Sequence, residues 1–459
     1  MNHRHPALVT AAIVTLAATG CSHATAEPTD LKAPTAHPNA SDVWPVLECG
    51  TASGTGCAPA SKRVDLVRPT FSHPTRITNP LMPESSIDTV VQVGVVDGKP
   101  FRSETTTLPT TQVVDWYGTK VEVVLSRYTA WLDGKIDENA IDRYAQADDG
   151  SVWYFGEDVV DYAHGTAFVT DGTWLAGRDG QPSMIMPAHP KVGDVYRVEN
   201  ITGVVFEELT VKHVGLTMPG PNGPVHGIIQ VDEFGVDSSH STKFLAPGYG
   251  EFLTRSPGEL EAMAVATPVD SLLGGCPVEI RRILTAAWGT MEYARLEDWP
   301  SARFSTNRIR SQLALVRQTQ QPPRVMALLE RASRQLDAAV ARHRVIATQV
   351  AAVAVAQATI DLESRYLDPL DVDVARFHLH GQALRVAASQ RHLGAVTGEV
   401  AALEWFADRL LPRLDDAGKA ILQQGLTDVR TAADARNAAA AADLAARLAQ
   451  SLRNLSGGL

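Results

Sequence analysis

The stretch RYAQADDGSVWYFGED (Arg143–Asp158) places an Asp-Gly pair between two segments that are rich in aromatic residues. Asp-Gly is a strong signal for the tight turn of a β-hairpin. With this pair at the centre of the turn, Tyr144 is expected opposite Phe155. Side chains alternate between the two faces of a strand, so Trp153 should share a face with both of them. The largely apolar face predicts either a core contact or the wall of a ligand cavity.

The same turn signal recurs along the neighbouring chain. Asp97-Gly98 and Asp133-Gly134 each separate two β-prone runs, and further Gly-containing turns follow as far as Pro221-Asn222-Gly223. Regular turn spacing in a β-rich segment is typical of antiparallel strands joined in chain order. Residues 62–269 are therefore predicted to form a β-meander, either a curved sheet or a partly open barrel.

From about residue 270 to 459 the chain becomes rich in Ala, Leu, Arg and Gln, and apolar residues recur at helical spacing. Four segments repeat an alanine, a polar residue and a second alanine at four-residue steps. They are ARLEDWPSA, AVARHRVIA, AASQRHLGA and AADARNAAA, which begin at Ala294, Ala339, Ala387 and Ala432. We interpret them as the turns of four helical hairpins, and a helical bundle with chance alanine coincidences is the alternative. The predicted fold class is α+β, with the β-meander first and an all-helical domain second.

The N-terminus predicts export. A short polar start is followed by the uncharged, mostly apolar run ALVTAAIVTLAATG (7–20), which is typical of a signal peptide. The next residue, Cys21, ends a sequence similar to a bacterial lipobox, so we expect residues 1–21 to hold the signal and the lipidation site. Ordinary cleavage after Ala26 is the alternative. Residues 22–61 are then a flexible linker, and the protein is expected at the extracytoplasmic face of the cell membrane. No later run of 18 apolar residues suggests a second span.

Export implies an oxidising environment, in which cysteines pair. The loop CGTASGTGC contains only small residues between Cys49 and Cys57, so a disulfide between these two residues is predicted. A pair of free thiols in a flexible segment is the alternative. Cys276 is then left over, and we expect it to be a small buried residue.

Charge and motifs limit the functions that the chain can have. The net charge of −11 argues against nucleic acid as a partner, because phosphate binding needs a clustered positive field. The sequence contains no P-loop, no G-x-G-x-x-G, no H-E-x-x-H and no G-x-S-x-G, and it predicts no cofactor. We therefore expect a non-enzymatic role: binding or carrying an apolar small molecule at Tyr144, Trp153 and Phe155, or acting as a scaffold for a protein partner.

The alternative is a metal- or haem-binding protein of the cell envelope. The segment FHLH supplies His378 and His380, and His392 follows on the same predicted hairpin. Two residues separated by two positions diverge by about 200° around a helix, so His378 and His380 cannot chelate one ion together. One of them could still join His392 or His343 across the bundle to bind a metal or haem.

The opening stretch also carries a family resemblance. DRYAQADDGSVWYFGED (142–158), together with KVGDVYRVE (191–199), resembles a group of secreted bacterial lipoproteins of unassigned function. DLESRYLDPLDVDVARFHLH (361–380) in the helical half is similar to the same group. The resemblance implies secretion and lipidation, and it brings no catalytic residues.

Overall fold

The computed structural model describes residues 46–86, 88–163, 165–256, 262–267, 269 and 271–455. Within these ranges two antiparallel sheets come first and eight α-helices follow, so the predicted α+β fold is confirmed. The predicted signal peptide, the lipidation site Cys21 and residues 22–45 of the predicted linker lie outside the described residues.

The first sheet is a meander whose strands pair in chain order from β1 to β6, while β7 and β8 also pair with β5. Its strands are β1 (Thr89–Val96), β2 (Lys99–Trp116), β3 (Thr119–Leu132), β4 (Lys135–Gln146), β5 (Val152–Ala163), β6 (Thr166–Val169), β7 (Trp174–Leu175) and β8 (Ser183–Met186). Two-residue turns join the first strands as predicted. Asp97 and Gly98 have φ values of 50° and 70°, and Asp133 and Gly134 have φ values of 51° and 72°. Positive φ at both central residues is the signature of the type I′ turn.

The second sheet is also a meander, in the spatial order β14-β13-β12-β11-β10-β9. Its strands are β9 (Val195–Ile201), β10 (Val205–Gly220), β11 (Gly223–Gly235), β12 (His240–Ala246), β13 (Gly250–Arg255) and β14 (Ala262–Met263). The sheets meet at one edge, where Gln92 of β1 and Ala264 form an isolated antiparallel bridge. The Gln92 side chain also donates a 2.7 Å hydrogen bond to the backbone oxygen of Glu251. The result is a partly closed barrel.

Alternation along the strands gives the first sheet two different faces. The inner face looks towards the second sheet, and both sheets contribute to one hydrophobic core there. The outer face packs against the helices, as shown by two further cores that mix strand and helix residues. On β3, for example, Arg127 and Trp131 contact helices, while Ser126 and Tyr128 lie on the inner face.

The register of the opening hairpin differs from the prediction by one residue. Tyr144 pairs with Tyr154 rather than with Phe155, and Ala145 pairs with Trp153. Gly150 has a φ of 91° and lies in a three-residue loop closed by the hydrogen bond from Ala147 N to Ser151 O. A shift of one residue moves every side chain to the opposite face. Tyr144 therefore stacks on Tyr154, with ring centroids 5.0 Å apart, and Trp153 and Phe155 do not share its face.

The segment 46–61 is packed on the second sheet rather than being a flexible linker as predicted. Arg197 of β9 donates a 2.6 Å hydrogen bond to the backbone oxygen of Glu48. Ala58 N donates to the Glu208 carboxylate at 2.8 Å. The predicted disulfide between Cys49 and Cys57 is present and closes this segment into a loop.

The helical half consists of four consecutive antiparallel hairpins, as predicted. Its helices are α1 (Val278–Arg295), α2 (Trp299–Val316), α3 (Pro323–Ala341), α4 (Val345–Glu363), α5 (Pro369–Ser389), α6 (Leu393–Leu410), α7 (Asp416–Asp434) and α8 (Ala438–Leu455). Cys276, just before α1, is a free cysteine that is partly buried against the helical core.

The same turn closes all four hairpins. The middle residue of each has positive φ: Glu297, His343, Arg391 and Arg436. In each turn the next residue donates its N–H to the carbonyl five positions back, as in Asp298 to Tyr293 and Arg344 to Ala339. The equivalent first positions are therefore Tyr293, Ala339, Ala387 and Ala432. The repeat is real, but the predicted alignment of its first copy at Ala294 is one residue too late.

Helix α4 is long and apolar enough, by length and composition, to cross a membrane. However, 61% of the relevant window is buried inside the protein, and α4 contributes Ala352, Val355 and Ala356 to the helical core. A central core helix passes the same test, so this is weak evidence for a membrane span.

A buried charge network joins the outer face of the first sheet to the helices. Glu104 of β2 is 2% exposed and receives three guanidinium groups: Arg102 at 2.5 Å, Arg376 at 2.9 Å and Arg409 at 2.9 Å. Arg102 also pairs with Asp361 of α4 at 2.6 Å, and Arg409 pairs with Asp373 of α5 at 2.5 Å. We call these three arginines and three acids the junction network. Its charges balance, which buried ion pairs require.

Candidate functional site

The predicted apolar ligand face is part of the protein core. Tyr144, Trp153 and Phe155 are 7%, 1% and 0% exposed. The cavity beside Trp153 has a volume of about 20 Å³, which is room for about one water molecule. These three side chains are therefore packed as core residues, and the cavity beside Trp153 is too small for an apolar ligand.

The structure does not gather the predicted histidine ligands into one site. His380 Nδ1 lies 2.8 Å from the Glu399 carboxylate, and its ring stacks between Trp131 and Phe406. His378 points elsewhere, with its ring edge-on to Trp288, and burial lowers its pKa to about 3. His392 caps the N-terminus of α6 by accepting a hydrogen bond from Ala395 N. Among the described residues no three His, Cys, Asp or Glu side chains are placed to hold a metal ion.

The inner faces of the two sheets carry a feature that the sequence analysis missed: carboxyl groups pointing towards each other across the barrel. The first sheet contributes Glu138 and Asp142 of β4 and Glu157 of β5, with Glu84 from the preceding loop. Asp142 pairs across the strands with Glu157 and accepts a 2.6 Å hydrogen bond from the Tyr154 hydroxyl. Thr107 donates to the Glu84 carboxylate at 3.2 Å.

The second sheet contributes Glu199, Glu207, Glu233 and Glu251, with the ammonium of Lys243 among them. Glu199 and Glu207 are cross-strand partners, and Trp174 Nε1 donates to Glu199 at 3.1 Å. Lys243 Nζ lies 3.0 Å from Glu233 and 3.7 Å from Glu251. These eight carboxyl groups and Lys243 are called the acidic cluster below.

The acidic cluster is continuous from one sheet to the other. The carboxyl groups of Glu157 on β5 and Glu199 on β9 are close enough for the charge of Glu199 to raise the pKa of Glu157. Glu233 raises the pKa of Glu207 in the same way. Like charges this close favour the protonated form of one of the two groups. Glu138, Glu157, Glu199 and Glu207 are half-buried, so part of each residue remains in contact with solvent.

Burial raises the pKa of most of these carboxyl groups, because water solvates their charged forms less well. The pKa values are about 7 for Glu84, about 8 for Glu138, about 6 for Asp142 and about 7 for Glu199. Burial also raises the pKa of Glu157 and Glu207 well above the ordinary range, and the charge of a neighbouring carboxylate adds to it. At neutral pH the cluster therefore holds protons that a bound cation would displace.

Lys243 reverses this trend locally. Burial by itself would lower the pKa of the ammonium, but the charges of Glu233, Glu251 and Glu207 raise it well above its ordinary value. Burial likewise acts to raise the pKa of Glu233, and Lys243 more than offsets this, so the net pKa of Glu233 is lowered. The ammonium of Lys243 thus favours the charged form of Glu233, while the pKa of Glu207 stays raised.

A signal for this site was present in the sequence. In KIDENAIDRYAQ (Lys135–Gln146) the acids Glu138 and Asp142 alternate in phase with Ala140 and Tyr144, which are core residues. An acid at a position that alternation assigns to the core predicts a buried polar site. The partners on the second sheet could not be found in this way, because the spacing of neighbouring residues does not show which distant strands come together.

No protein-family model matches the chain, and no curated protein is significantly similar to it. Its function is therefore argued from the geometry of its own residues.

Proposed function

We propose that the chain is an extracytoplasmic lipoprotein with a non-enzymatic binding role, and that its acidic cluster binds an organic cation carrying primary ammonium groups. The observation that carries the proposal is the composition of the opposed inner faces: among the described residues, eight carboxyl groups share these faces with one ammonium, that of Lys243. Carboxyl groups that ionise in such a partly buried place attract a cation strongly, since their charge is poorly screened by solvent.

Lys243 supports the choice of a primary amine. Its alkylammonium group already lies between two carboxylates at 3.0 Å and 3.7 Å, so the inner face accommodates this chemical group. The remaining acids extend away from it along both sheets, through Glu207 and Glu199 to Glu157 and Asp142. A flexible chain with ammonium groups at intervals matches that arrangement better than a compact ion does, because no three described ligands converge as a metal ion requires.

The membrane anchor is the second part of the proposal. It is supported by the apolar run before Cys21 and by the resemblance to secreted lipoproteins. Residues 22–45, if extended, reach at most about 80 Å, which would allow the folded part to stand away from a bilayer. A protein partner for the helical half is also proposed, because the helical hairpins expose side chains such as Phe304, which is 71% exposed.

The test is calorimetric titration of the protein with spermidine, with calcium chloride in parallel. Spermidine should bind with one-site stoichiometry at about pH 8, and affinity should fall towards about pH 5 as the carboxyl groups keep their protons.

The double variant Glu199→Gln, Glu207→Gln should lose at least tenfold in affinity for spermidine while remaining folded, since the amides keep the shape of the side chains and relieve the repulsion between carboxylates. Asp416→Asn, which changes a fully exposed acid on α7, is the matched control and should bind as the original does. If calcium binds and spermidine does not, the assigned ligand class is wrong.

A further inference from the structure

A cleft lies where the first sheet meets helix α5, on the opposite side of the sheet from the acidic cluster. Its volume is about 140 Å³. Asp88 and Ser271 are exposed at its rim, so it opens to solvent. The polar part of its wall is formed by Asp88, Thr89, Thr267, Ser271, Ser364, Asp373 and Arg376, and the carboxylate of Asp88 at the rim is solvated. This cleft is independent of the proposed amine site.

Arg376 is the unusual member of this wall. It is 1% exposed, yet none of its three guanidinium nitrogens makes a hydrogen bond within the described part of the protein. Its Nε lies 2.9 Å from Glu104 and its Nη2 lies 3.7 Å from Asp361. These two acids balance the charge of the guanidinium, but they do not lie along its N–H bonds. The hydroxyl of Thr267, 2% exposed, has no hydrogen-bond partner there either. Buried donors of this kind are rare, because a donor that has lost its water without gaining a partner destabilises the folded protein.

The wall carries one group that can bind an anion and one group that can bind a cation. Asp373 and Arg376 are three residues apart on α5, so their carboxylate and guanidinium groups lie side by side on one helix face. Asp373 is held by Arg409, but its Oδ1 also lacks a hydrogen bond of good geometry. Beside them the wall is apolar, formed by Val91, Ala266, Leu367 and Val372.

We propose that this cleft binds a small aliphatic α-amino acid, with its carboxylate on Arg376, its ammonium on Asp373 and its side chain against Val91 and Val372. A planar guanidinium is the group best suited to a carboxylate. The cleft is close in size to a cavity that holds benzene, which corresponds to a ligand of about six to eight non-hydrogen atoms.

Charge balance favours a zwitterion over a simple ion. The junction network already pairs three arginines with three acids, all buried. A bound anion or a bound cation would leave one uncompensated charge in this enclosed region, which is costly. A zwitterion supplies an acceptor for Arg376 and a donor for Asp373 and adds no net charge.

The experiment is calorimetric titration of the protein with L-valine, isovalerate and isobutylamine. The last two are valine without its ammonium and valine without its carboxylate. L-Valine is expected to bind with one-to-one stoichiometry, and each analogue to bind at least tenfold more weakly. If isovalerate binds as tightly as L-valine, the cleft is an anion site and the assignment to an amino acid is overturned. If L-valine does not bind at concentrations up to about 10 mM, the proposal is also overturned.

A variant at the rim locates the binding without disturbing the junction network. Ser271→Trp places a large side chain over the exposed entrance and should abolish L-valine binding. Ser311→Trp, at an exposed position on α2, adds the same side chain elsewhere and should leave binding unchanged. Binding that persists in Ser271→Trp would show that the cleft is not the site.

Arg376→Lys keeps the positive charge but loses the planar guanidinium. It should weaken the binding of L-valine at least tenfold if the protein remains folded.

Discussion

Replacing Glu84 by glutamine should make the protein more stable, and only above mildly acidic pH. Glu84 is 5% exposed, and burial is the main cause that raises its pKa from an ordinary 4.5 to about 7; the negative charge of Asp142 raises it further. Each pKa unit corresponds to about 1.4 kcal/mol. Because the folded-state pKa lies above the unfolded-state value, stability is greatest below about pH 4.5 and falls as the pH rises through about 7.

The shift of 7 − 4.5 = 2.5 units makes the ionised Glu84 cost about 3 kcal/mol at about pH 8 and less than about 1 kcal/mol at about pH 5. Glutamine has the same shape, carries no charge, and keeps an oxygen that can accept the hydrogen bond from Thr107. Glu84→Gln should therefore gain about 3 kcal/mol at the higher pH and little at the lower one.

The assay is urea denaturation of both proteins at the two pH values, followed by circular dichroism and by tryptophan fluorescence. Coincident transitions from the two probes would justify a two-state treatment. An equal gain at both pH values would mean that packing, not ionisation, explains the change. A loss of stability at about pH 8 would refute the reasoning, because it would show that the carboxylate is stabilised in place.

Four further predictions follow from the same contacts. Glu104→Gln, unlike Glu84→Gln, should destabilise the protein, by about 3–5 kcal/mol in urea denaturation at neutral pH. The reason is that three buried guanidinium groups lose their shared carboxylate. Unchanged stability would mean that the junction network is dispensable. Lys243→Met should destabilise by about 1–3 kcal/mol near pH 8 and much less near pH 5, where Glu207 and Glu233 can hold protons; thermal melts at both pH values test this, and a pH-independent loss would contradict it. Replacing Cys49 and Cys57 together by serine should cost about 2–3 kcal/mol, measured by denaturation under oxidising conditions, since the loop is short; no loss would show that packing on the second sheet already fixes the segment. Cys21→Ala should abolish incorporation of labelled palmitate in a bacterial host, and retained label would disprove lipidation at this residue.

The sequence predicted the fold more completely than the site. Asp97-Gly98 and Asp133-Gly134 specify their turns locally, and the repeated alanine segments mark the four helical turns, so the order of strands and helices could be read from neighbouring residues. The hairpin register at Gly150 was missed by one residue, because a two-residue and a three-residue loop both accept Asp-Gly.

The acidic cluster and the junction network depend instead on contacts between distant residues. Glu157 and Glu199 come together although β6, β7 and β8 separate their strands along the chain, and Arg409 meets Glu104 across 305 positions. No periodicity records such pairings. The histidines and the aromatic face were over-interpreted for the complementary reason: local pattern identifies unusual side chains but not the neighbours that satisfy them, such as Glu399 for His380.

The junction network also has a consequence for how the chain must be made. Glu104 and Arg102 are synthesised early, whereas Asp361, Arg376 and Arg409 arrive only after most of the remaining chain. Until the helices have been synthesised, the outer face of the first sheet, with Val91 and Trp131 beside these charges, remains uncovered. A chain that stops before α5 would carry a permanently open, partly apolar sheet face, which is prone to self-association. Folding of the β-half alone should therefore need a chaperone that the whole protein does not.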